Sequence, residues 1–280
     1  MRHIEGTFNG IKDLKIYYQA WLPESPKAIV QFLHGATEHS GRFPHLVDEL
    51  VANNYAIYAD DHRGHGKSEG VRVHVDSITD YIEDKKLFLN IIKKNHPDLP
   101  IVMVGFSLGA VIAFAFTLKY ETLLSGLVLV GITPNTNLGI FLRFLVRFFS
   151  KIRPHMRFGK PLAYTFLSRD PQVAVSYEND PLVANEPSTM RWNYEILKVA
   201  RNIQKSKELS LPVMVQCGSD DRLLNRQFGQ ADEIEFNNLF KMEDKTLKIY
   251  QGLFHEIYNE IEPDRKIVLQ DLVNWLDKHI

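Results

Sequence analysis

The amino-acid sequence predicts an α/β fold in which helices cover both faces of a mostly parallel central sheet. Short runs of β-branched and apolar residues alternate along the chain with longer segments in which apolar residues recur at helical spacing. Because the short runs are apolar at nearly every position, we expect them to be buried on both faces, as the strands of a parallel sheet are. The alternation of strands and helices favours a doubly wound arrangement.

The individual elements follow from these runs. Residues 14–22 alternate between apolar and polar side chains, which predicts an antiparallel strand at an edge of the sheet. Buried strands are predicted at residues 28–33, 55–59, 101–105, 127–131 and 213–217, with a further strand at 247–250. Helices are predicted at residues 42–53, 78–95, 108–120 and 264–279.

The stretch from about residue 133 to residue 210 interrupts this alternation. It contains no clear buried strand, carries six prolines, and separates two core strands by far more than the ~12–15 residues of a long loop. We therefore predict a helical cap at residues 133–210, inserted into a core formed by residues 1–132 and 211–280. The alternative is a set of unrelated surface loops.

Composition restricts the partners and the compartment. Lys and Arg number 33 and Asp and Glu number 34, so no basic excess argues for nucleic acid as a partner. Cys217 is the only cysteine, which excludes an internal disulfide and favours a reducing compartment. The first nine residues do not resemble a secretory signal, and no run reaches the ~18 apolar residues of a spanning helix. These features predict a cytoplasmic protein, at most peripherally bound to membranes, and leave its oligomeric state open.

Ser107 is the candidate nucleophile. Residues 105–109 read G-F-S-L-G and connect a predicted strand directly to a predicted helix. In this context the G-x-S-x-G pattern is typical of a sharp turn that raises a nucleophilic serine above the sheet. The backbone N–H of Leu108, at the start of the helix, would point at a developing oxyanion. The alternative is a serine that only caps the helix.

A serine nucleophile requires a base, and in such folds the acid and then the histidine follow the serine along the chain. Asp221 follows the predicted strand at 213–217, and His255 follows the one at 247–250. Both lie at carboxyl ends of strands, where ligands bind in open α/β sheets. We predict that His255 is the general base and that Asp221 orients it. Asp220 is the alternative acid, and a structural surface histidine is the alternative for His255.

The strand at 28–33 ends in the sequence His34-Gly35-Ala36. A His-Gly pair at the end of a strand suits a loop that supplies a second oxyanion donor, which would be the backbone N–H of Ala36. We expect His34 itself to be structural and to fix this loop.

A second histidine-containing stretch, residues 60–68, also follows a predicted strand. Its histidines, His62 and His65, have no cysteine or carboxylate companions at the spacing of metal ligands. We therefore predict no metal site, and we interpret the stretch as a structural loop stabilised by Asp61 and Arg63.

Several strings together resemble the monoacylglycerol lipase family and its lysophospholipase-like relatives. The resemblance runs from about residue 10 to the C-terminus and includes the predicted cap. The HG-x-x-EHSGR and D-x-RGHG-x-S patterns are specific to this branch, whereas G-x-S-x-G alone is not. The strings are HGATEHSGRF, DHRGHGKSEG, GFSLGA, SRDPQVAVSYENDPLV, GSDDRLL and KTLKIYQGLFHEIYNE.

The resemblance implies an α/β-hydrolase fold with a helical cap that docks on membranes or micelles. It implies hydrolysis of a monoacylglycerol to glycerol and a fatty acid, through an acyl-enzyme on Ser107 and without a cofactor. Ser107, Asp221 and His255 match the catalytic triad of the family, and Ala36 and Leu108 match its oxyanion positions.

Glu38 and Arg42 match family positions near the glycerol-binding end of the pocket, and Tyr177 matches a tyrosine close to the site. Glu38, Arg42 and Tyr177 are therefore expected to bind substrate. The alternative for Glu38 and Arg42 is a surface ion pair of little energetic consequence. Mammalian members usually have His and Met where this chain has Phe106 and Leu108, a difference that bears on acyl-chain preference rather than on the chemistry.

Other functions are compatible with the same residues. A lysophospholipase, a short-chain carboxylesterase or a proline-type aminopeptidase would use the same triad, and a non-catalytic binding protein could share the fold. Residues 138–149 carry nine apolar residues together with Arg143 and Arg147, which share a helix face. This pattern predicts an interfacial helix that docks on lipid and admits an acyl chain. The alternative is a helix buried against the core or in a dimer.

Overall fold

An eight-stranded sheet lies at the centre of the molecule. The structure, a computed structural model, describes residues 1–132, 140–159, 162–203, 209–223 and 242–280. The strands are β1 (Arg2–Asn9), β2 (Lys15–Leu22), β3 (Ala28–Leu33), β4 (Tyr55–Asp60), β5 (Ile101–Phe106), β6 (Gly126–Val130), β7 (Val213–Gly218) and β8 (Lys245–Tyr250). Their order is β1-β2-β4-β3-β5-β6-β7-β8. The strands from β4 to β8 in this order pair in parallel, and β1 and β2 are antiparallel.

The prediction that residues 14–22 form an edge strand is wrong. This segment forms β2, which is antiparallel as expected but lies between β1 and β4. β1 takes the edge and pairs with β2 along its whole length, from Arg2 opposite Leu22 to Asn9 opposite Lys15. Strand β1 was not predicted because it is mostly polar and Phe8 is its one buried residue. Polar side chains are tolerated there because an edge strand is largely solvated.

Helices cover both faces of the sheet, as predicted. The helices of the structure are α1 (Pro44–Ala52), α2 (Ile78–Asn95), α3 (Leu108–Tyr120), α4 (Ile140–Ile152), α5 (Pro171–Asn179), α6 (Met190–Ile203) and α7 (Asp264–His279). Apolar residues of α1 and α7 pack on one face of the sheet, and those of α2 and α3 pack on the other. The helix predicted from residue 42 begins at Pro44, because proline is suited to a first helical turn and a short 3₁₀ turn precedes it.

The chain between β6 and β7 is long, although these strands are neighbours in the sheet. Its described residues form α4, α5 and α6 and contribute no strand to the sheet. We refer to residues 133–210 as the inserted segment. Several of its residues contact the loops at the carboxyl ends of the strands, including Leu167, Tyr177 and Ala184. Among the described helices, none is both long and apolar enough to cross a membrane.

Candidate active site

Ser107 occupies the tight turn between β5 and α3. Its backbone lies at φ 52° and ψ −111°, a strained conformation for a residue other than glycine. A Cβ atom at Gly105 would overlap the carbonyl oxygen of Gly109, and one at Gly109 would overlap the carbonyl oxygen of Leu33. Neither glycine could therefore carry a side chain without a shift of the backbone. The Ser107 side chain makes no capping hydrogen bond to α3, which argues against the alternative of a simple helix cap.

His255 and Asp221 meet beside Ser107. The Nδ1 atom of His255 lies 2.6 Å from Oδ2 of Asp221, and both side chains are buried. Asp220 instead accepts a hydrogen bond from the Ser219 hydroxyl, so the structure pairs His255 with Asp221 and not with its neighbour. His255 and Ser107 line one cavity. With Nδ1 donating to the carboxylate, the Nε2 atom of His255 can act as a proton acceptor.

The residues around His255 leave little free space. Gly131, at φ 61°, lies so close that a Cβ atom there would stand 3.1 Å from Cε1 of His255. The Phe106 ring packs against the imidazole, with ring centroids 4.9 Å apart. These contacts restrict the imidazole to one orientation, as general-base catalysis requires.

The two predicted oxyanion donors belong to different elements, the helix α3 and the loop that follows β3. Leu108 is the first residue of α3, where backbone N–H groups have no partner within the helix. Ala36 lies in the loop that follows β3 and lines the same cavity as Ser107. The arrangement therefore combines a hydroxyl, a histidine oriented by a carboxylate, and two candidate backbone donors, which is suited to acyl transfer.

A pair of stacked histidines lies beneath the Ala36 loop. The backbone N–H of His62 donates to Nε2 of His34 at 2.9 Å, and Nε2 of His62 donates to the backbone oxygen of His34 at 2.9 Å. Their ring centroids are 3.9 Å apart. Burial holds the pKa of both imidazoles well below the usual value, since a charged ring would be desolvated there. His34 is therefore structural, as predicted, and its partner His62 was not anticipated.

Asp61 and Arg63 fix the loop at residues 60–68 to neighbouring parts of the fold, as predicted. Asp61 accepts hydrogen bonds from the backbone N–H and the hydroxyl of Ser40, and Arg63 pairs with Asp84 in a bidentate fashion. Within the described ranges, no group of three or more histidine, cysteine or carboxylate side chains could hold a metal ion.

Glu38, Arg42 and Glu256 form a buried ion network. Nη1 of Arg42 lies 2.5 Å from Oε2 of Glu38 and 2.7 Å from Oε1 of Glu256. The alternative of a surface ion pair is wrong, because all three side chains are buried. The side chain of Arg42 is 7% exposed, and the side chains of the two glutamates are at most 2% exposed. Burial raises the pKa of Glu38 to about 8, opposed by Arg42 and reinforced by Glu256.

Glu256 was missed at the sequence level. It follows His255 directly, and no local pattern indicates that it would share a guanidinium with Glu38, which is far away in the sequence. Glu38, Glu256 and Tyr177 line the cavity beside Ser107, whereas Arg42 lies behind them with its guanidinium over the Tyr177 ring at 4.6 Å. The structure thus brings together the three residues predicted to bind substrate, but Arg42 is not part of the described cavity wall.

The helix α4 has two different faces. Phe141, Phe144 and Phe148 are exposed, by 74%, 61% and 47%, and Ile152 continues this stripe. Val146 is buried on the other side, and Leu142 and Leu145 are half-buried. The apolar residues are therefore neither all exposed nor all buried. Residues 138 and 139 of the predicted segment lie outside the described residues.

The fold and the arrangement around Ser107 are those of an α/β-hydrolase, and the relatives of the chain show its class to be a carboxylic ester hydrolase. A family model described as "Serine aminopeptidase, S33" matches residues 24–262. A monoacylglycerol lipase from Mycolicibacterium smegmatis is 32% identical over 280 residues, which cover 99% of this chain and 98% of that protein. The chain belongs to the monoacylglycerol lipase and lysophospholipase-like branch of this superfamily.

Two further comparisons show the range of the branch. A phospholipase from Bacillus subtilis is 26% identical over 267 residues, covering 93% of this chain and 99% of that protein. The crystal structure of a monoacylglycerol lipase from Paleococcus ferrophilus superimposes with a TM-score of 0.79 at 24% identity and covers 100% of both chains. The second likeness supports the fold alone.

Proposed function

We propose that this protein hydrolyses monoacylglycerols to glycerol and a free fatty acid through an acyl-enzyme on Ser107. The observation that carries the proposal is the 2.6 Å contact between His255 and Asp221, made beside the strained serine that lines the same cavity. Relatives named monoacylglycerol lipase supply the substrate class.

In the proposed reaction, Nε2 of His255 takes the hydroxyl proton of Ser107 as the oxygen attacks the ester carbonyl. The backbone N–H groups of Ala36 and Leu108 stabilise the oxyanion of the tetrahedral intermediate. The intermediate collapses to an acyl-enzyme as His255 returns the proton to the leaving alcohol. Water, activated by the same imidazole, then releases the fatty acid. Asp221 holds the tautomer and stabilises the imidazolium in both steps.

The polar wall beside Ser107 favours a neutral alcohol as the leaving group. Glu38 accepts one hydrogen bond from the Gly35 N–H at 2.5 Å and one from Arg42, which leaves lone pairs for a glycerol hydroxyl. Two carboxyl groups share the single guanidinium of Arg42, so its donors are already engaged. Arg42 is therefore not open to a phosphate head group, which favours a monoacylglycerol over a lysophospholipid.

The proposal includes a lipid surface as the partner of α4. Its exposed phenylalanines form a stripe, and Arg147 and Lys151 lie exposed along one edge of it. Such a helix can rest in the headgroup region with its cations among phosphates. A surface of this kind would bring the protein to the membrane or micelle in which a monoacylglycerol resides.

A substrate panel tests the substrate assignment. Purified protein is assayed with a monoacylglycerol, a lysophosphatidylcholine and an aryl ester, all of the same acyl group, and with an aminoacyl anilide. We expect kcat/KM to be highest for the monoacylglycerol among the natural classes. Higher turnover of the lysophospholipid would establish the lysophospholipase alternative, and release of the anilide would establish a peptidase.

A further inference from the structure

Thr37 holds an unfavourable backbone conformation beside the proposed oxyanion donor. Its φ is 67°, in the left-handed region that β-branched residues rarely adopt. Thr37 directly follows Ala36, and the carbonyl group of Ala36 and the N–H of Thr37 lie in one planar peptide group. Only the φ and ψ angles of Ala36 separate this peptide group from the Ala36 N–H, so holding it restricts the direction of that N–H. Strain of this kind persists only where surrounding contacts hold it.

The inserted segment supplies those contacts. The backbone N–H of Ala184 donates to the carbonyl oxygen of Thr37 at 2.7 Å. The Tyr177 hydroxyl contacts Oγ1 of Thr37, and the Thr37 hydroxyl donates to the carbonyl oxygen of Ala36. Because Thr37 has a single hydroxyl proton, Tyr177 is the donor in the first of these two bonds. A chain of hydrogen bonds therefore runs from Tyr177 through Thr37 to Ala36.

Tyr177 is itself held in place. Its side chain is 2% exposed, and the guanidinium of Arg42 lies over its ring. The ring of Tyr164 stacks beside it, with centroids 6.0 Å apart. A second tie joins the same two regions, since Nε2 of His39 lies 2.8 Å from Oδ2 of Asp180. The hydroxyl of Tyr177 is thus presented to Thr37 at a fixed position.

We propose that Tyr177 is a positioning residue, which acts through Thr37 to hold the Ala36 N–H toward the oxyanion. The inference rests on the proposed esterase function and deepens it, because it makes the inserted segment part of the catalytic apparatus. A residue that only contacts the glycerol group would affect binding of glycerol esters. A residue that holds the oxyanion donor affects kcat for every ester, whatever its alcohol.

The variant Tyr177→Phe tests the inference, since it removes the hydroxyl and keeps the ring. We expect kcat to fall about tenfold on both a monoacylglycerol and a short-chain aryl ester, less than the roughly 10²–10³-fold cost of deleting an oxyanion donor outright. KM should stay within about twofold on both substrates, because ground-state binding is retained. The affinity for an alkyl trifluoromethyl ketone, whose hemiketal oxyanion on Ser107 mimics the intermediate, should fall by the same factor as kcat/KM.

Tyr164→Phe is the matched control. The Tyr164 hydroxyl donates to Glu178 at 2.6 Å in an exposed position. Removing this hydroxyl from the neighbouring ring should therefore leave kcat unaltered. Thr37→Gly supplies the second arm. Glycine adopts a φ of 67° without strain and lacks the hydroxyl, so adding Tyr177→Phe in that background should cause no further loss.

Three outcomes would overturn the inference. The first is a rise in KM for the monoacylglycerol alone, which would make Tyr177 a direct substrate contact. The second is an equal loss from Tyr177→Phe in the wild-type and Thr37→Gly backgrounds, and the third is an unchanged kcat in active enzyme. Failure of the proposed function looks different, because wild-type protein would then show neither ester turnover nor labelling of Ser107 by a fluorophosphonate.

Discussion

Two ends of the site are built in different ways. Ser107, Asp221 and His255 each follow a strand of the parallel sheet, so the backbone brings them together at one edge. At the other end, Glu38, Arg42 and Glu256 meet through side chains, with a single guanidinium bonded to both carboxyl groups. The end at Ser107 therefore depends on backbone topology, whereas the end at Arg42 depends on contacts among buried ionisable groups.

Asp221→Asn should produce the largest change of the variants that test this difference. The amide favours the wrong tautomer of His255, so kcat should fall on the order of 10⁴-fold with the fold unchanged. Asp220→Asn is the matched control, because Asp220 bonds to Ser219 and not to the histidine. Steady-state kinetics of both variants, with thermal melts to verify folding, make the comparison. A larger loss from Asp220→Asn would mean that the acid has been misassigned.

Acid should weaken the fold through the buried histidines. Burial lowers the pKa of His34 and His62 well below 6.5 and that of His65 to about 4. At these rings the unfolded chain therefore binds protons below about pH 6.5 that the folded chain does not, so their contribution to the free energy of unfolding falls as pH drops, by up to ~1.4 kcal/mol per unit for each ring. Urea unfolding at pH 7.5, 6.5 and 5.5 measures this slope.

The size of this pH dependence is determined by the groups that face the three imidazole rings. Lys85 and Tyr81 of α2 lie on one side of the rings. The charge of Lys85 also lowers the imidazole pKa values, and Asp60 pairs with Lys85. His62→Gln keeps a donor for the His34 carbonyl and does not titrate, so its slope should be shallower. An unchanged slope in that variant would contradict the assignment to His62.

The two ends of the site also differ in how completely the sequence predicts them. The G-x-S-x-G turn and the positions after β7 and β8 follow local rules, so the positions of Ser107, Asp221 and His255 could be inferred residue by residue. The helices at 78–95, 108–120 and 264–279 have the predicted bounds, because amphipathic spacing and end signals agree there. Strand β1 was missed, since a polar edge strand has almost no periodic signal.

Contacts between distant side chains had no such signal. Nothing local pairs Glu256 with Arg42, or His62 with His34, because each pair forms only when separate loops meet above the sheet. The burial of the Glu38–Arg42 pair was missed for the same reason. The division into a core and a cap, and the catalytic and binding roles, remain predictions that the variants described here test.

Glu38→Gln should show a smaller, substrate-dependent effect. The amide of glutamine has one acceptor oxygen where the carboxyl group has two, which weakens acceptance of a glycerol hydroxyl, so kcat/KM for a monoacylglycerol should fall roughly tenfold, the value of one hydrogen bond. An aryl ester of the same acyl chain has no such hydroxyl and should be affected much less. Equal losses on both substrates would indicate that Glu38 only supports the loop through Gly35 and Arg42.

The exposed stripe of α4 should have the smallest effect on chemistry. Replacing Phe141, Phe144 and Phe148 with Ser should reduce co-sedimentation with lipid vesicles and lower long-chain turnover a few-fold, because apolar burial drives interfacial binding. A soluble short-chain ester should be hydrolysed as before. The inward-facing Val146→Ser is the control and should lower the melting temperature instead. Vesicle binding that survives loss of the three phenylalanines would exclude α4 as the lipid contact.

The most direct test of the account is the turnover of a monoacylglycerol by wild-type protein and by Ser107→Ala. A serine in this tight turn contributes little packing, so the variant should fold normally. Its kcat should fall about 10⁶-fold, and it should no longer be labelled by a fluorophosphonate. That result would establish Ser107 as the nucleophile of an ester hydrolase. Turnover of the folded variant within tenfold of wild type would contradict it.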